Sequence, residues 1–129
     1  IKYFGDKLIY TSGVGPTDST GAAVYTGILG RDLSVEEGAA AARLATLNIL
    51  GVLDAQLGDL NKIKTIVKQL GFVACTDDFY SQPAVMNGST KLLMDVFGDP
   101  EGRPARSAIA TNALPGNIPV EIELLIELK

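Results

Sequence analysis

Residues 103–123 read Arg103-Pro-Ala-Arg-Ser-Ala-Ile-Ala-Thr-Asn-Ala-Leu-Pro-Gly-Asn-Ile-Pro-Val-Glu-Ile-Glu123. The pattern predicts two strands around a turn region at Leu114-Pro115-Gly116. The first strand is a run of small and apolar residues enclosing one cation, Arg106. The second continues to Leu128, and its even positions (Val120, Ile122, Leu124, Ile126, Leu128) are all apolar. Glu121, Glu123 and Glu127 share the opposite face with Leu125, so this is a half-buried strand of definite register. A guanidinium in the middle of Ala-Arg-Ser-Ala-Ile-Ala is costly to cover, so it requires a partner or a ligand.

Upstream, Ser34-Val35-Glu36-Glu37 has the form of a capping box, in which the serine hydroxyl and the second glutamate satisfy each other's backbone amides. It predicts a helix from about Val35 to Leu57, ended by Gly58. Val35, Ala39, Ala42, Leu50 and Leu53 form one face, but Ala39–Ala42 and Leu44 make the helix apolar nearly all round. Such a helix packs closely on a sheet. Asp59–Lys62 reads as a turn and Ile63–Cys75 as a long strand of imperfect alternation, with Thr65, Val67, Gln69 and Gly71 set against Lys64, Ile66, Lys68 and Leu70. Pro83 leads a second helix to about Phe97, with Val85, Leu92, Leu93, Val96 and Phe97 on its buried side. Within it Asn87-Gly88-Ser89 is poor helical sequence, so this stretch either bends or presents polar groups; a solvent-facing Asn87 is the plainer reading.

Residues 1–12 read as a hairpin about Gly5-Asp6, and Gly13–Gly21 as a loop. Gly13-Val14-Gly15 lacks the following Lys-Ser/Thr of a phosphate cradle and is ordinary turn sequence. The order β-β-α-β-α-β-β over a single domain, 1–129, gives an α+β fold with two helices on one face of a sheet. The other face, which carries Glu121 and Leu125, requires cover, and a neighbouring subunit supplies it economically. A hydrophobic content of 47% with a mean hydropathy of +0.22 points the same way, toward an oligomer.

Charge and residue usage remove several function classes. Lys and Arg number 11 against 15 Asp and Glu, a formal charge of −4, which makes a nucleic-acid partner a poor expectation. There is no histidine, which excludes imidazole acid–base chemistry, histidine-paired nucleophiles and most zinc sites. The one cysteine, Cys75, allows no internal disulfide and fits a reducing, cytoplasmic compartment. Without a cationic neighbour in sequence it reads as a small buried residue rather than an activated thiol. No run is expected to reach the length of a membrane span, and a segment before Ile1 is expected to be missing or removed.

If the last two strands pair antiparallel about the midpoint of Ala113 and Leu114, Arg106 and Glu121 approach each other. One reading is then a structural salt bridge or an exposed arginine. The other is an arginine held ready for a small carboxylate, which its planar fork binds through two parallel hydrogen bonds, beside a glutamate that orients water.

The chain also resembles a known family. Pro104-Ala105-Arg106-Ser107, Leu114-Pro115 and Val120-Glu121-Ile122 are similar to the signature of the Rid family, the reactive intermediate deaminases or YjgF-like proteins. Leu8–Gly13, Glu37 with Ala41, Arg43, Leu47 and Asn48, Gly58–Leu60, Ile66–Val73 and Val85-Met86-Asn87 extend the likeness over essentially the whole chain, as a divergent branch with Ala108 in place of a frequent cysteine. The resemblance implies a chorismate-mutase-like α+β fold on a mixed sheet and a homotrimer with ligand clefts between subunits. It implies hydrolysis of 2-imino acids or their enamine tautomers to 2-keto acids and ammonia, without metal or cofactor. By position Arg106 matches the arginine that clamps the substrate carboxylate and Glu121 the glutamate of the attacking water; Gly13, Asn87 and Ala108 match cleft-lining positions. A non-catalytic 2-keto acid sensor using the same cleft, the family's endoribonuclease or translation-inhibitor label, and a chorismate mutase of the same fold are the alternatives.

Overall fold

Strand positions in the sheet follow the apolar rows of the sequence. The computed structural model describes residues 1–129. Its elements run β1 (Lys2–Phe4), β2 (Leu8–Tyr10), α1 (Val35–Leu57), β3 (Ile63–Ala74), α2 (Gln82–Phe97), β4 (Ala105–Thr111) and β5 (Val120–Leu128). All five strands form one sheet in the order β1-β2-β5-β3-β4. Only β3 and β4 run parallel, so the sheet is mixed.

β5 takes the centre because its even row is unbroken. Val120, Ile122, Leu124 and Ile126 are fully buried under the helices, each contributing about 1.5–3 kcal/mol by leaving water. Its odd row, Glu121, Glu123, Leu125 and Glu127, lies on the open face, half-buried. β4 sits at the rim, where the exposed Ile109 and Ala110 and the charge of Arg106 are tolerated.

This topology corrects one expectation. The last two strands are not neighbours, because β3 lies between them, paired in parallel with β4 and antiparallel with β5. The helical crossover α2 returns the chain parallel to β3 on the outer side of that strand, and the turn at Leu114–Asn117 then carries it across to the inner side, into β5. A second correction concerns β3, whose register shifts at Ile63/Thr65 and Ile66/Lys68. Each bulge adds a residue and reverses the alternation, so Ile63, Ile66, Gln69, Gly71 and Val73 are all buried.

α1 has the bounds that its caps predict. Ser34 Oγ accepts the Glu37 N–H at 3.1 Å, Glu37 Oε1 accepts the Ser34 N–H at 3.0 Å, and Gly58 closes the helix at φ +81°. Ala42, Leu50 and Leu53 are buried as expected, joined by Ala41, Ala45, Thr46, Ile49 and Leu57; Val35 and Ala39 are half-buried. At 23 residues α1 is long and apolar enough by length and composition to cross a membrane, contrary to the reading that no run reaches that length. Its buried residues belong instead to the core shared with the sheet and α2. On α2, Val85, Leu92 and Leu93 are buried and Phe97 is half-buried against the core, but Val96 is 45% exposed.

Candidate functional site

Arg106 pairs with Gln69 of β3, and both side chains lie on the face that carries the helices. The guanidinium reaches α2, where its Nη1 donates to Asn87 Oδ1 at 2.9 Å and to Thr90 Oγ1 at 3.1 Å. Nη1 carries two hydrogens, and the protein takes both. Nε and Nη2 make no hydrogen bond or ion pair within the chain. That leaves the edge with two parallel N–H bonds, the geometry that fits one carboxylate.

Asn87-Gly88-Ser89 therefore presents polar groups on purpose. Asn87 is exposed, as its residue type suggests, yet it holds Arg106. Gly88 lets α1 and α2 touch, since a Cβ there would overlap the Ala39 carbonyl oxygen. Ser89 turns inward, accepts from Gln69 Nε2 and shares a short hydrogen bond with Thr46 of α1. Ala108, two residues beyond Arg106, lies on the same face and pairs with Gly71, where Met86 fills the space that a side chain would need. Gln69, Thr90 and Thr46 were not named as site residues from sequence, and Ser89 only as part of the poor helical stretch Asn87-Gly88-Ser89. The readable signal was Gln69, a polar residue in phase with Gly71 and Val73 on the buried row.

Glu121 stands elsewhere. It pairs with Phe72 on the open face, three rows along the sheet from Arg106 and two strands away. Gly13 packs against it so closely that a Cβ on Gly13 would lie 2.8 Å from Glu121 Cδ. The Glu121 carboxylate has no hydrogen-bond or ion-pair partner within the chain, whereas Glu123 meets the Tyr10 hydroxyl and Glu127 pairs with Lys64. The predicted residues thus form two groups: Arg106, Asn87 and Ala108 on the helix side of the sheet, Gly13 and Glu121 on the open side. No salt bridge joins Arg106 to Glu121.

Cys75 is buried, with Gln82 Nε2 3.6 Å from its sulfur. Nowhere do three or more acidic or thiol groups converge as metal ligands would. The carboxyls held below the usual range, Asp18 by the Thr20 hydroxyl and Asp32 by Arg31, lie in the loop before α1, apart from both groups.

Residues 3–128 match the family model described as "YjgF/chorismate mutase-like, putative endoribonuclease". The chain belongs to this family. Protein TCP17 of Trypanosoma cruzi is 40% identical to it over 120 residues, covering 93% of this chain and 74% of that protein. The crystal structure of Atu1372 from Agrobacterium tumefaciens, a protein of unknown function, superposes with a TM-score of 0.93 at 40% identity, covering 98% of this chain and 79% of that one. TdcF of E. coli, solved with bound serine, shares the YjgF-like fold at a TM-score of 0.62 and 22% identity, with 95% and 82% covered. The two helices on a mixed sheet are the chorismate-mutase-like architecture of this family.

Proposed function

We propose that the protein hydrolyses small 2-imino acids, such as 2-iminobutyrate and 2-aminoacrylate in its imine form, to the 2-keto acid and ammonia. The observation that carries this is the free Nε–Nη2 edge of Arg106, oriented by Asn87 and Thr90. It suits a single carboxylate held through two parallel hydrogen bonds. The serine bound by TdcF is likewise a small molecule bearing an α-carboxylate.

The reaction requires little else. With the carboxylate clamped, water adds to C2 of the protonated imine, forming a C–O bond as the C=N π electrons move to nitrogen. The carboxylate of Glu121 orients that water, takes its proton and passes it to the nitrogen. The C–N bond of the resulting carbinolamine then breaks with its electron pair going to nitrogen, Glu121 takes the hydroxyl proton and hands it to the departing ammonia, and the 2-keto acid and ammonium are released. Positioning by the clamp and an electrophilic iminium supply the rate, and no covalent nucleophile is involved.

Because Arg106 and Glu121 lie on opposite faces of one sheet, a second copy has to bring its Glu121 to the first copy's Arg106. The open face supports that assembly: Leu70, Phe72 and Leu125 are half-buried there, Tyr10 and Ile109 exposed. A closed homotrimer with one cleft per interface satisfies both requirements. Endonuclease action fits less well, since the chain carries −4 net charge and lacks histidine.

The test is ammonia release from 2-iminobutyrate generated freshly from threonine by a pyridoxal-phosphate dehydratase. Wild-type protein accelerates release, and Arg106→Ala abolishes the acceleration. Equal rates for the two would sink the assignment of Arg106. A protein that binds 2-oxobutyrate through Arg106 yet releases no ammonia is a sensor rather than a hydrolase.

A further inference from the structure

Behind Arg106 lies a line of buried polar side chains joined by hydrogen bonds. Each hydroxyl has one hydrogen to give. Thr46 gives its own to the Ala42 carbonyl at 2.9 Å, so Ser89 must supply the hydrogen between Ser89 and Thr46. Ser89 Oγ then accepts from Gln69 Nε2. That sets the Gln69 amide with Oε1 toward Thr90, whose hydroxyl donates to it at 3.0 Å. Thr90 Oγ1, its hydrogen spent, can only accept, and it accepts from Arg106 Nη1. Thr90 Oγ1 accepts from Arg106 whether its own hydrogen goes to Gln69 Oε1 or to the Met86 carbonyl 3.4 Å away, because a guanidinium has no acceptor.

We propose that Thr90 and Gln69 are positioning residues that lock the Arg106 guanidinium with its Nε–Nη2 edge turned outward. The proposal rests on the carboxylate reading of Arg106 only where a ligand is concerned. Gln69, Ser89 and Thr46 are fully buried and Thr90 nearly so. Breaking one link strands a buried polar group, so the line holds as a unit. What the polar line adds is an acceptor of fixed direction on Arg106. Asn87, exposed on the first turns of α2, is the second acceptor, and two acceptors on one nitrogen fix the guanidinium plane.

The test is hydrogen–nitrogen NMR of the arginine side chains, which reads rotation of the guanidinium without any ligand. Wild type is expected to show separate Arg106 Nη signals in slow rotation. Thr90→Val, isosteric but without the hydroxyl, should speed that rotation about tenfold, whereas Thr90→Ser should keep it slow. Where Thr90→Val gives no native amide spectrum, Thr90→Ala serves in its place. Unchanged rotation without the hydroxyl would overturn the proposal. In parallel, 2-oxobutyrate is titrated: loss of the Thr90 hydroxyl should weaken its binding about tenfold, with recovery in Thr90→Ser. Wild type that does not bind 2-oxobutyrate would refute the carboxylate reading instead, and the rotation result would still decide the positioning roles.

Discussion

Arg106 and Glu121 stand on opposite faces of one sheet, with the whole of β3 between their strands. Each is free to act outward. Arg106 keeps three N–H bonds unpaired, and the Glu121 carboxylate is bonded to nothing in its own chain. A chemistry that uses both must therefore assemble across two copies.

This relationship predicts complementation. Arg106→Ala and Glu121→Gln should each be inactive alone as homo-oligomers. Co-expressed in equal amounts, they should regain about a quarter of the wild-type activity, because a site is intact only where an Arg106 copy meets a Glu121 copy, a one-in-four chance at random assembly. The measurement is ammonia release per subunit in the purified mixture. Activity no higher than the sum of the two homo-oligomers would place both residues in one copy's site.

Two helical glycines should respond in opposite directions to alanine. Gly51 lies on the exposed side of α1, and a Cβ there meets nothing within 4 Å. Gly51→Ala removes backbone freedom from the unfolded chain and should stabilise by about 0.5–1 kcal/mol. Gly88→Ala drives a methyl into the Ala39 backbone, which cannot rotate away as a side chain could, and should cost about 1–3 kcal/mol. Urea unfolding of the three proteins reads both signs at once. A stabilised Gly88→Ala would mean that α1 and α2 do not approach at this point.

The elements were legible in the sequence where the signal is local. The even row of Val120–Leu128 fixed its buried face, and Ser34 with Glu37 and Gly58 bounded α1 to the residue. Strand adjacency was not legible. Nothing within 103–123 marks that β3, some forty residues earlier, separates the two final strands; that depends on which strand best fills the centre beneath the helices. The bulges in β3 were hidden for a related reason, since they answer to the register of β5 rather than to a period of their own. Arg106 announced itself because a cation among small residues is costly. Asn87 was reached only through the family resemblance, and neither its bond to Arg106 nor that of Thr90 was legible, because 16 to 19 residues of chain separate them from it and either could have faced water.

The loop before α1 yields a pH prediction with a definite sign. Asp18 Oδ1 accepts the Thr20 hydroxyl at 2.6 Å, the Thr20 N–H at 2.8 Å and the Ala22 N–H at 3.1 Å. All three favour the ionised form, the Thr20 hydroxyl most, and they hold the carboxyl below its ordinary value against a smaller opposing effect of burial. The folded protein therefore binds this proton less tightly than the unfolded chain does. The stabilisation is fully present above the unfolded value, near 3.9, and is lost as pH falls through the lower folded value. A carbon-13 titration should place the Asp18 midpoint below that of an exposed aspartate. Asp18→Ala should accordingly lose less stability than wild type between neutral pH and about pH 2.5, because the group whose protonation costs the fold is gone. A midpoint at the ordinary value, with equal acid sensitivity in the two proteins, would show that the Thr20 and Ala22 hydrogen bonds do not persist in solution.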